Sequence, residues 1–328
     1  MEIKVSVIMS VYNTKAEYLS AAIESILKQT LNEFEFIIIN DASDSETVEV
    51  LNRYHDSRIV RINNDVNIGL TASLNEGLIV AKGKYIARMD ADDISYQNRL
   101  MAQYNYMEKH PEVAVLGGWV KCENHICKYQ GHASSEWRKV RMLIENVGIC
   151  HPSAFIRTSF LREYHLMYNE SIKKAQDYDL WTKCLEHGKM AVYPKVVLEY
   201  RIHQGQISVN SSDEQEKAKE QIRTRLLYQI LDNVSNDELD QFLNLDTIFL
   251  SAEELENFFD RICEENKKKN RVNVWILKRE LTFIWFKILI GKYKVHRKKE
   301  YWRSHWCFQC FSPLFMGYLL CNTIIRNM

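Results

Sequence analysis

Before Tyr85 the chain repeats one cycle three times: an apolar run, a polar tip, then an amphipathic stretch. Ile3 to Met9 is almost continuously apolar, as a parallel strand covered on both faces must be. It ends in Ser10-Val11-Tyr12-Asn13-Thr14, and Tyr18, Leu19, Ala22, Ile23, Ile26 and Leu27 follow at helical spacing. Phe34 to Ile39 repeats the run and ends in Asn40-Asp41-Ala42-Ser43-Asp44; Thr47 to Tyr54 reads as a short helix. Ile59 to Ile62 ends in Asn63-Asn64-Asp65, and Asn67-Ile68-Gly69 turns into a helix reaching Ala81, broken by Gly83. Parallel strands need crossover connections, so this alternation predicts an α/β chain with a doubly wound, mostly parallel sheet flanked by helices. The polar tips then gather on one rim, where such sheets bind ligands.

The fourth strand, Tyr85 to Met89, stops in Asp90, Asp92 and Asp93. Three carboxylates this close repel one another. A hard divalent cation, Mg²⁺ or Mn²⁺, relieves that repulsion and shares its coordination with substrate phosphates. Aspartate is also a favoured helix cap, and Ser95 to Lys109 has Leu100, Tyr104 and Met107 on one helical face. Capping accounts for one aspartate more easily than for three. No Gly-x-Gly-x-x-Gly and no Gly-Lys-Ser/Thr loop follows the first strand, which argues against a dinucleotide oxidoreductase and a P-loop ATPase.

Val113 to Leu116 reads as a strand before Gly117-Gly118, residues 120–150 as irregular, and Ala154 to Ile156 as a further strand. A helix is expected near Tyr178, with Asp177 at or just before its cap and Asp179 as a second carboxylate in its first turn. Val196 to Tyr200 reads as a strand ending in Arg201-Ile202-His203, a pair of basic groups suited to a phosphate. Trp119, Trp137 and His151 are candidates for an acceptor pocket.

Forty-three basic residues balance forty-three acidic ones, so no overall field favours nucleic acid. Most of the eight cysteines have apolar neighbours, and Cys307-x-x-Cys310 has no partner pair at zinc spacing, so reduced, packed thiols are expected. With no leader in front of the first strand, a cytoplasmic protein is expected. From Ser211 onward helices with charged faces take over. Lys287, Lys292, Lys294, Arg297, Lys298, Lys299 and Arg303 stand against the single acid Glu300, and Cys307 to Ile325 carries no charge. A basic, tryptophan-bearing segment beside an apolar one suits peripheral contact with a membrane through residues 271–328, at its inner face.

Taken in order, the motifs resemble glycosyltransferase family 2, the inverting group with the GT-A fold, over roughly residues 3–205. They are Val5 to Asn13, Ile39-Asn40-Asp41-Ala42-Ser43-Asp44, Asn67-Ile68-Gly69, Gly83 to Asp93, and Gln176-Asp177-Tyr178-Asp179-Leu180-Trp181. The resemblance implies a GT-A domain over residues 1–210, with a nucleotide-sugar half to about 118 and an acceptor half from 119, and a helical extension over 211–328. It implies that Ser10 and Tyr12 line the nucleotide pocket, that Asp41 accepts from the base, plausibly uracil N3–H, and that Asp90 lies near the ribose. Asp92 would be the metal ligand and Asp177 the general base. Arg88, Asp179, Arg201 and His203 complete the candidates. The donor would be a nucleotide sugar, UDP-linked by preference, and the acceptor a glycan or lipid-linked glycan of bacterial surface polysaccharide. Gln176 stands where the family usually has Glu, and the Gln-x-x-Arg-Trp signature of processive synthases is missing, which favours single transfers. Competing expectations are a sugar-nucleotide nucleotidyltransferase and an inactive nucleotide-sugar-binding module.

Overall fold

The computed structural model describes residues 2–123, 125–128, 133–203, 212–245, 247–291, 294–295, 298–317 and 319. The chain forms two compact units, Met1–Ser135 with Val147–Lys219, and Glu136–Asn146 with Glu220–Met328. The division falls inside the helix that spans Ser212–Ile230.

The first unit opens with the expected alternation: β1 (Val5–Val11), α1 (Ala16–Leu27), β2 (Phe34–Asn40), α2 (Ser45–Asn52), β3 (Ile59–Asn63), α3 (Leu70–Val80) and β4 (Tyr85–Arg88). These strands lie in the order β3-β2-β1-β4, all parallel. Val5, Val7, Met9, Phe36 and Ile38 meet Leu19, Ile23 and Ile26 of α1 in one apolar core. That burial explains the mostly apolar runs of β1 and β2, whose buried Ser6 donates to Glu35 at 2.6 Å.

Beyond β4 the sheet becomes mixed. The remaining elements are β5 (Ile94–Ser95), α4 (Arg99–Lys109), β6 (Val113–Cys122), β7 (His125–Cys127), α5 (Ser135–Arg141), β8 (Phe155–Arg157), α6 (Thr158–Glu163), α7 (Gln176–His187) and β9 (Lys189–Tyr200). The order continues β4-β8-β6-β9-β5, with β7 paired to β6. β8 is antiparallel to both its neighbours, β6 and β9 are parallel, and β5 runs antiparallel to β9.

Four local expectations change. The helix after the acidic cluster starts at Arg99, not Ser95, because Ile94 and Ser95 pair with Glu199 and Leu198. The aspartates therefore do not cap it; Asn98 holds that position. β6 runs straight through Gly117 and Gly118, where a break was expected. A Cβ at Gly117 would lie 2.6 Å from Ile149 Cβ, and one at Gly118 2.4 Å from Val197 Cγ2, so here glycine permits close packing. The supposedly irregular 120–150 contains the β6–β7 hairpin and α5. Finally, α7 begins at Gln176, after Ala175 at φ 63°, so Asp177 sits in the first turn rather than at the cap.

Among its described residues, the second unit is helical apart from the short parallel pair β10 (Thr247–Ile248) and β11 (Lys294–Val295). α8 (Ser212–Ile230) leads the chain across the division. α9 (Asn236–Leu243) and α10 (Ala252–Lys269) each start in a reciprocal capping box, Ser235 with Glu238 and Ser251 with Glu254. α11 (Val274–Leu289) and α12 (His305–Cys310) complete the unit. Phe259, Trp285, Tyr301 and Trp306 form its aromatic core, with the Phe259 and Trp306 rings edge to face at 5.5 Å. Cys307 and Cys310 are buried free thiols there, as the packing reading expects. The far half of the apolar run 307–325 lies outside the described residues.

Candidate active site

Strand register assembles the rim. Ile8 pairs with Arg88 and Val11 with Asn40, so Asp90 stands level with Ser10, and Asp41 just past the end of β1. Adjacent strands lie about 4.8 Å apart. Ser10, Tyr12, Asp41 and Asp90 are thus brought to neighbouring strand tips. Tyr12 is half exposed, with Asn13 behind it at φ 46°.

Asp41 is buried and engaged by its own chain. Its Oδ1 accepts from Asn64 Nδ2 at 3.1 Å and the Ile68 amide at 2.9 Å, and its Oδ2 from the Gly69 amide at 2.8 Å. Asn67 Nδ2 donates to the Asp41 carbonyl at 3.3 Å. The carboxylate therefore sits at the N-terminus of α3, where the helix dipole favours it. Gly69, at φ 88°, makes the turn that aims both amides inward. This gives the Asn67-Ile68-Gly69 motif its physical reason.

The acidic cluster is built over buried arginines. Arg88 holds Asp90 in an ion pair. Arg99, fully buried, donates through Nη2 to the Arg88 carbonyl at 2.8 Å and through Nε to Gln103 at 3.0 Å. Two guanidinium groups thus face three carboxylates, so part of the charge that sequence reasoning assigned to a cation is met by the protein. Ligand oxygens of Asp90, Asp92 and Asp93 still lie within 4.8 Å of one another. Burial and the other two aspartates push Asp93 up to about 8. Its Oδ1 accepts from the Arg201 amide at 3.1 Å, while its buried Oδ2 has no hydrogen-bond partner. Burial and the Asp92 charge also raise Asp90, against the pull of Arg88.

The end of β9 returns to this cluster. His203 Nε2 lies 2.9 Å from Asp92 Oδ2. Arg201 donates through Nε to the Asp92 carbonyl and through Nη2 to the Tyr18 carbonyl at 2.8 Å, its guanidinium 4.7 Å from the Tyr18 ring. Arg201 and His203 therefore touch the acidic cluster at Asp92 and Asp93. Arg201 acts there on the Asp92 and Asp93 backbone segment.

Asp177 lies within electrostatic reach of Arg88. Burial raises its carboxyl above the usual range; the Tyr178 amide and Arg88 oppose that rise. A helix start alone would depress its basicity, so burial reverses the direction expected of its position. Asp179 is instead occupied by Lys183 on its own helix, at 2.7 Å. Next to Asp177, Tyr168 and His151 meet at 2.7 Å between hydroxyl and Nε2, and His151 lies edge to face with Trp181 at 6.0 Å. Burial and Arg88 hold His151 well below its ordinary value, so it is neutral. Asn75 clasps the Tyr168 backbone through both amide atoms at 3.0 Å.

Sequence reasoning missed Tyr168, Arg99 and Asn75. The available signal was a buried polar side chain inside an apolar helical pattern: Asn75 interrupts α3 and Arg99 opens α4. Of the acceptor candidates, Trp119 lies under Lys128 Nζ at 5.4 Å, while Trp137 donates to Glu280 at 3.0 Å within the second unit. Cys122, His125 and Cys127 also converge on one face of the β6–β7 hairpin. Cys122 packs in the main core there and Cys127 against it.

A parallel half-sheet continued by a mixed half-sheet and flanked by helices is the GT-A fold. Residues 6–199 match glycosyl transferase family 2, and the chain belongs to that family. An uncharacterized glycosyltransferase of Haemophilus influenzae is 34% identical over 241 residues, covering 68% of this chain and 73% of that protein. WfaP of Escherichia coli, a UDP-Glc:alpha-D-GlcNAc-diphosphoundecaprenol beta-1,3-glucosyltransferase, is 29% identical over 211 residues, covering 64% of this chain and 82% of its own length. The structure of S. aureus TarS 1-349 in complex with UDP-GlcNAc superposes with a TM-score of 0.60 at 17% identity, covering 91% of this chain and 89% of that one. At that identity the likeness is one of fold.

Proposed function

We propose that this protein moves a sugar from a nucleoside-diphosphate donor, UDP-linked by preference, to an acceptor hydroxyl with inversion at the anomeric carbon. The observation that carries the reading is the meeting of Asp92 and His203, 2.9 Å apart, at the strand tip of a family 2 domain. Asp92 and His203 would hold a divalent cation. The acidic cluster and the unpartnered Asp93 Oδ2 fit one, and an imidazole nitrogen in the donor set favours Mn²⁺ over Mg²⁺. When bound, that ion neutralises the charge developing on the departing diphosphate.

The chain's own residues do the rest. Ser10 and Tyr12 flank the nucleotide. Asp41 uses three of about four acceptor positions on its own loop, shaping the base pocket and keeping one for N3–H. Asp90 lies beside the ribose, fixed by Arg88. Asp177 takes the proton from the acceptor hydroxyl as the new bond forms. Its raised pKa makes it a better base than a carboxylate at an exposed helix start. Neutral His151 and the Tyr168 hydroxyl position the acceptor next to it.

A lipid-linked glycan is the proposed acceptor, the kind named for WfaP, with the protein working on the cytoplasmic face of a membrane that residues 271–328 touch. Asp177→Asn tests the chemistry. Transfer should fall by about 10²–10⁴-fold while UDP-sugar affinity stays within twofold of the parent, read by product assay and calorimetry. Near-parental turnover would remove Asp177 from the role.

A further inference from the structure

The β6–β7 hairpin carries side chains that the proposed reaction does not use. Strand register fixes their direction: Cys122 lies opposite His125, and Cys127 opposite Val120. Residues paired across a ladder share a face, as do residues two apart on one strand. Cys122, His125 and Cys127 therefore point to the same side, and one ligand atom from each lies within 4.8 Å of the others. Lys121 and Ile126 pair with each other on the opposite side.

The two sulfurs narrow the chemistry. Cys127 Sγ is 3.4 Å from Cys122 Sγ, and both are free thiols. A disulfide needs about 2.05 Å between the sulfurs and about 3.8 Å between the Cβ atoms. Cys122 and Cys127 occupy diagonal places on the ladder, where Cβ atoms stand roughly 6–7 Å apart. Oxidation would therefore require the strands to shift. Two Zn–S bonds of about 2.3 Å at a tetrahedral angle hold their sulfurs about 3.8 Å apart, close to the spacing seen here. His125 adds an imidazole nitrogen. Thiolate with imidazole suits zinc, whereas the carboxylates of Asp90, Asp92 and Asp93 suit a harder cation.

The hairpin also lacks other support. β7 has three residues, lies off the main path of the sheet and pairs with β6. His125 and Ile126 are exposed, while Cys127 packs against the core that holds Val120 and Cys122. So short and exposed a strand buries little to hold itself in place.

We infer that Cys122, His125 and Cys127 bind one Zn²⁺, which clamps β7 to the end of β6. Binding displaces the two thiol protons, which leave to solvent. Three protein ligands leave the fourth position to water, so the ion can be exchanged. The clamp stands one strand away from the acidic cluster: Cys122 pairs with Tyr200 of β9, and Arg201 next to it donates its amide to Asp93. Its test does not depend on sugar transfer.

The reduced full chain is stripped with a chelator and titrated with Co²⁺, whose thiolate charge-transfer absorption reports sulfur ligation. The absorption should saturate at about one equivalent and vanish when Zn²⁺ displaces the cobalt. Cys127→Ser should lose it. His125→Ala should weaken binding by about tenfold or more, since even partners behind a ligand contribute that much. Asp92→Ala should keep the absorption in full, which separates this site from the carboxylates. Zn²⁺ should slow amide exchange at Val120 and Cys127 in the parent and not in Cys127→Ser. Should Cys127→Ser fail to fold, His125→Ala, which alters an exposed side chain, carries the test. Absorption that survives in a folded Cys127→Ser would overturn the inference, as would parental affinity in His125→Ala. So would a reduced chain that takes up no Co²⁺ while mild oxidation links Cys122 to Cys127, the mark of a redox pair.

Discussion

Asp41 was legible as a polar strand tip, but its hydrogen bonds were not. Its three donors come from positions 64, 68 and 69, and nothing local to residue 41 announces them. Removing the carboxylate strands the Ile68 and Gly69 amides at the start of α3. Asp41→Ala should therefore cost about 3 kcal/mol, since hydrogen bonds to a charged group contribute about 1.5–3 kcal/mol each and partial rewetting offsets part of the loss. A thermal melt reads this as a drop of about 6–12 °C for a unit of this size. Asp41→Ala melting like the parent would mean that the loop holds itself. Arg88 acts over distance on Asp177. A carboxylate serves as a base only when ionised, so turnover falls as pH drops through its pKa. The Arg88 charge lowers that pKa, and removing it moves the acid limb to higher pH. Arg88→Gln should shift the limb upward and Arg88→Lys should leave it in place; identical limbs in both variants would remove Arg88 from this role.

β1, β2 and β4 were readable because burial on both faces leaves a mostly apolar run, and the part-exposed β3 by its place in the alternation. β6 and β9 were read only in part, for opposite reasons. β6 contains Gly117 and Gly118, which imitate a turn, and the close neighbours that require them, Ile149 and Val197, are distant in sequence. β9 extends back to Lys189 with several exposed positions and Pro194, so its first half carries no strand signal. Pairing with β6, which the sequence does not display, makes it a strand. Gly118→Ala places a methyl group 2.4 Å from Val197 Cγ2, inside any allowed contact. Overpacking of this kind costs about 1–3 kcal/mol. Val197→Ala in the same chain should recover much of that loss, and a double-mutant cycle by denaturant unfolding measures it. Additive losses would mean that the two strands do not press on each other there. His203 depends on this pairing, since β9 ends just before it.

At the scale of the chain, every candidate site residue except Trp137 falls in the first compact unit, while most of the tryptophans fall in the second. The sequence showed this change of character near Ser211. It could not show that the short piece Glu136–Asn146 joins the second unit, because that link is made by tertiary contacts such as Trp137 with Glu280. The separation makes donor binding measurable as stability. A ligand that binds only the folded state adds about 2.7 kcal/mol at a hundredfold excess over its dissociation constant. UDP with Mn²⁺ should then raise the calorimetric transition of the parent by about 5–10 °C. UDP alone should raise it less, because Asp92 and His203 would lack the ion that links them to the diphosphate. In Asp92→Ala the Mn²⁺-dependent part of the shift should disappear, while any metal-free part, held by Ser10, Tyr12 and Asp41, should persist. A variant that keeps the full Mn²⁺-dependent shift would place the cation elsewhere, and the meeting of Asp92 with His203 would then be an ordinary ion pair at the end of β9.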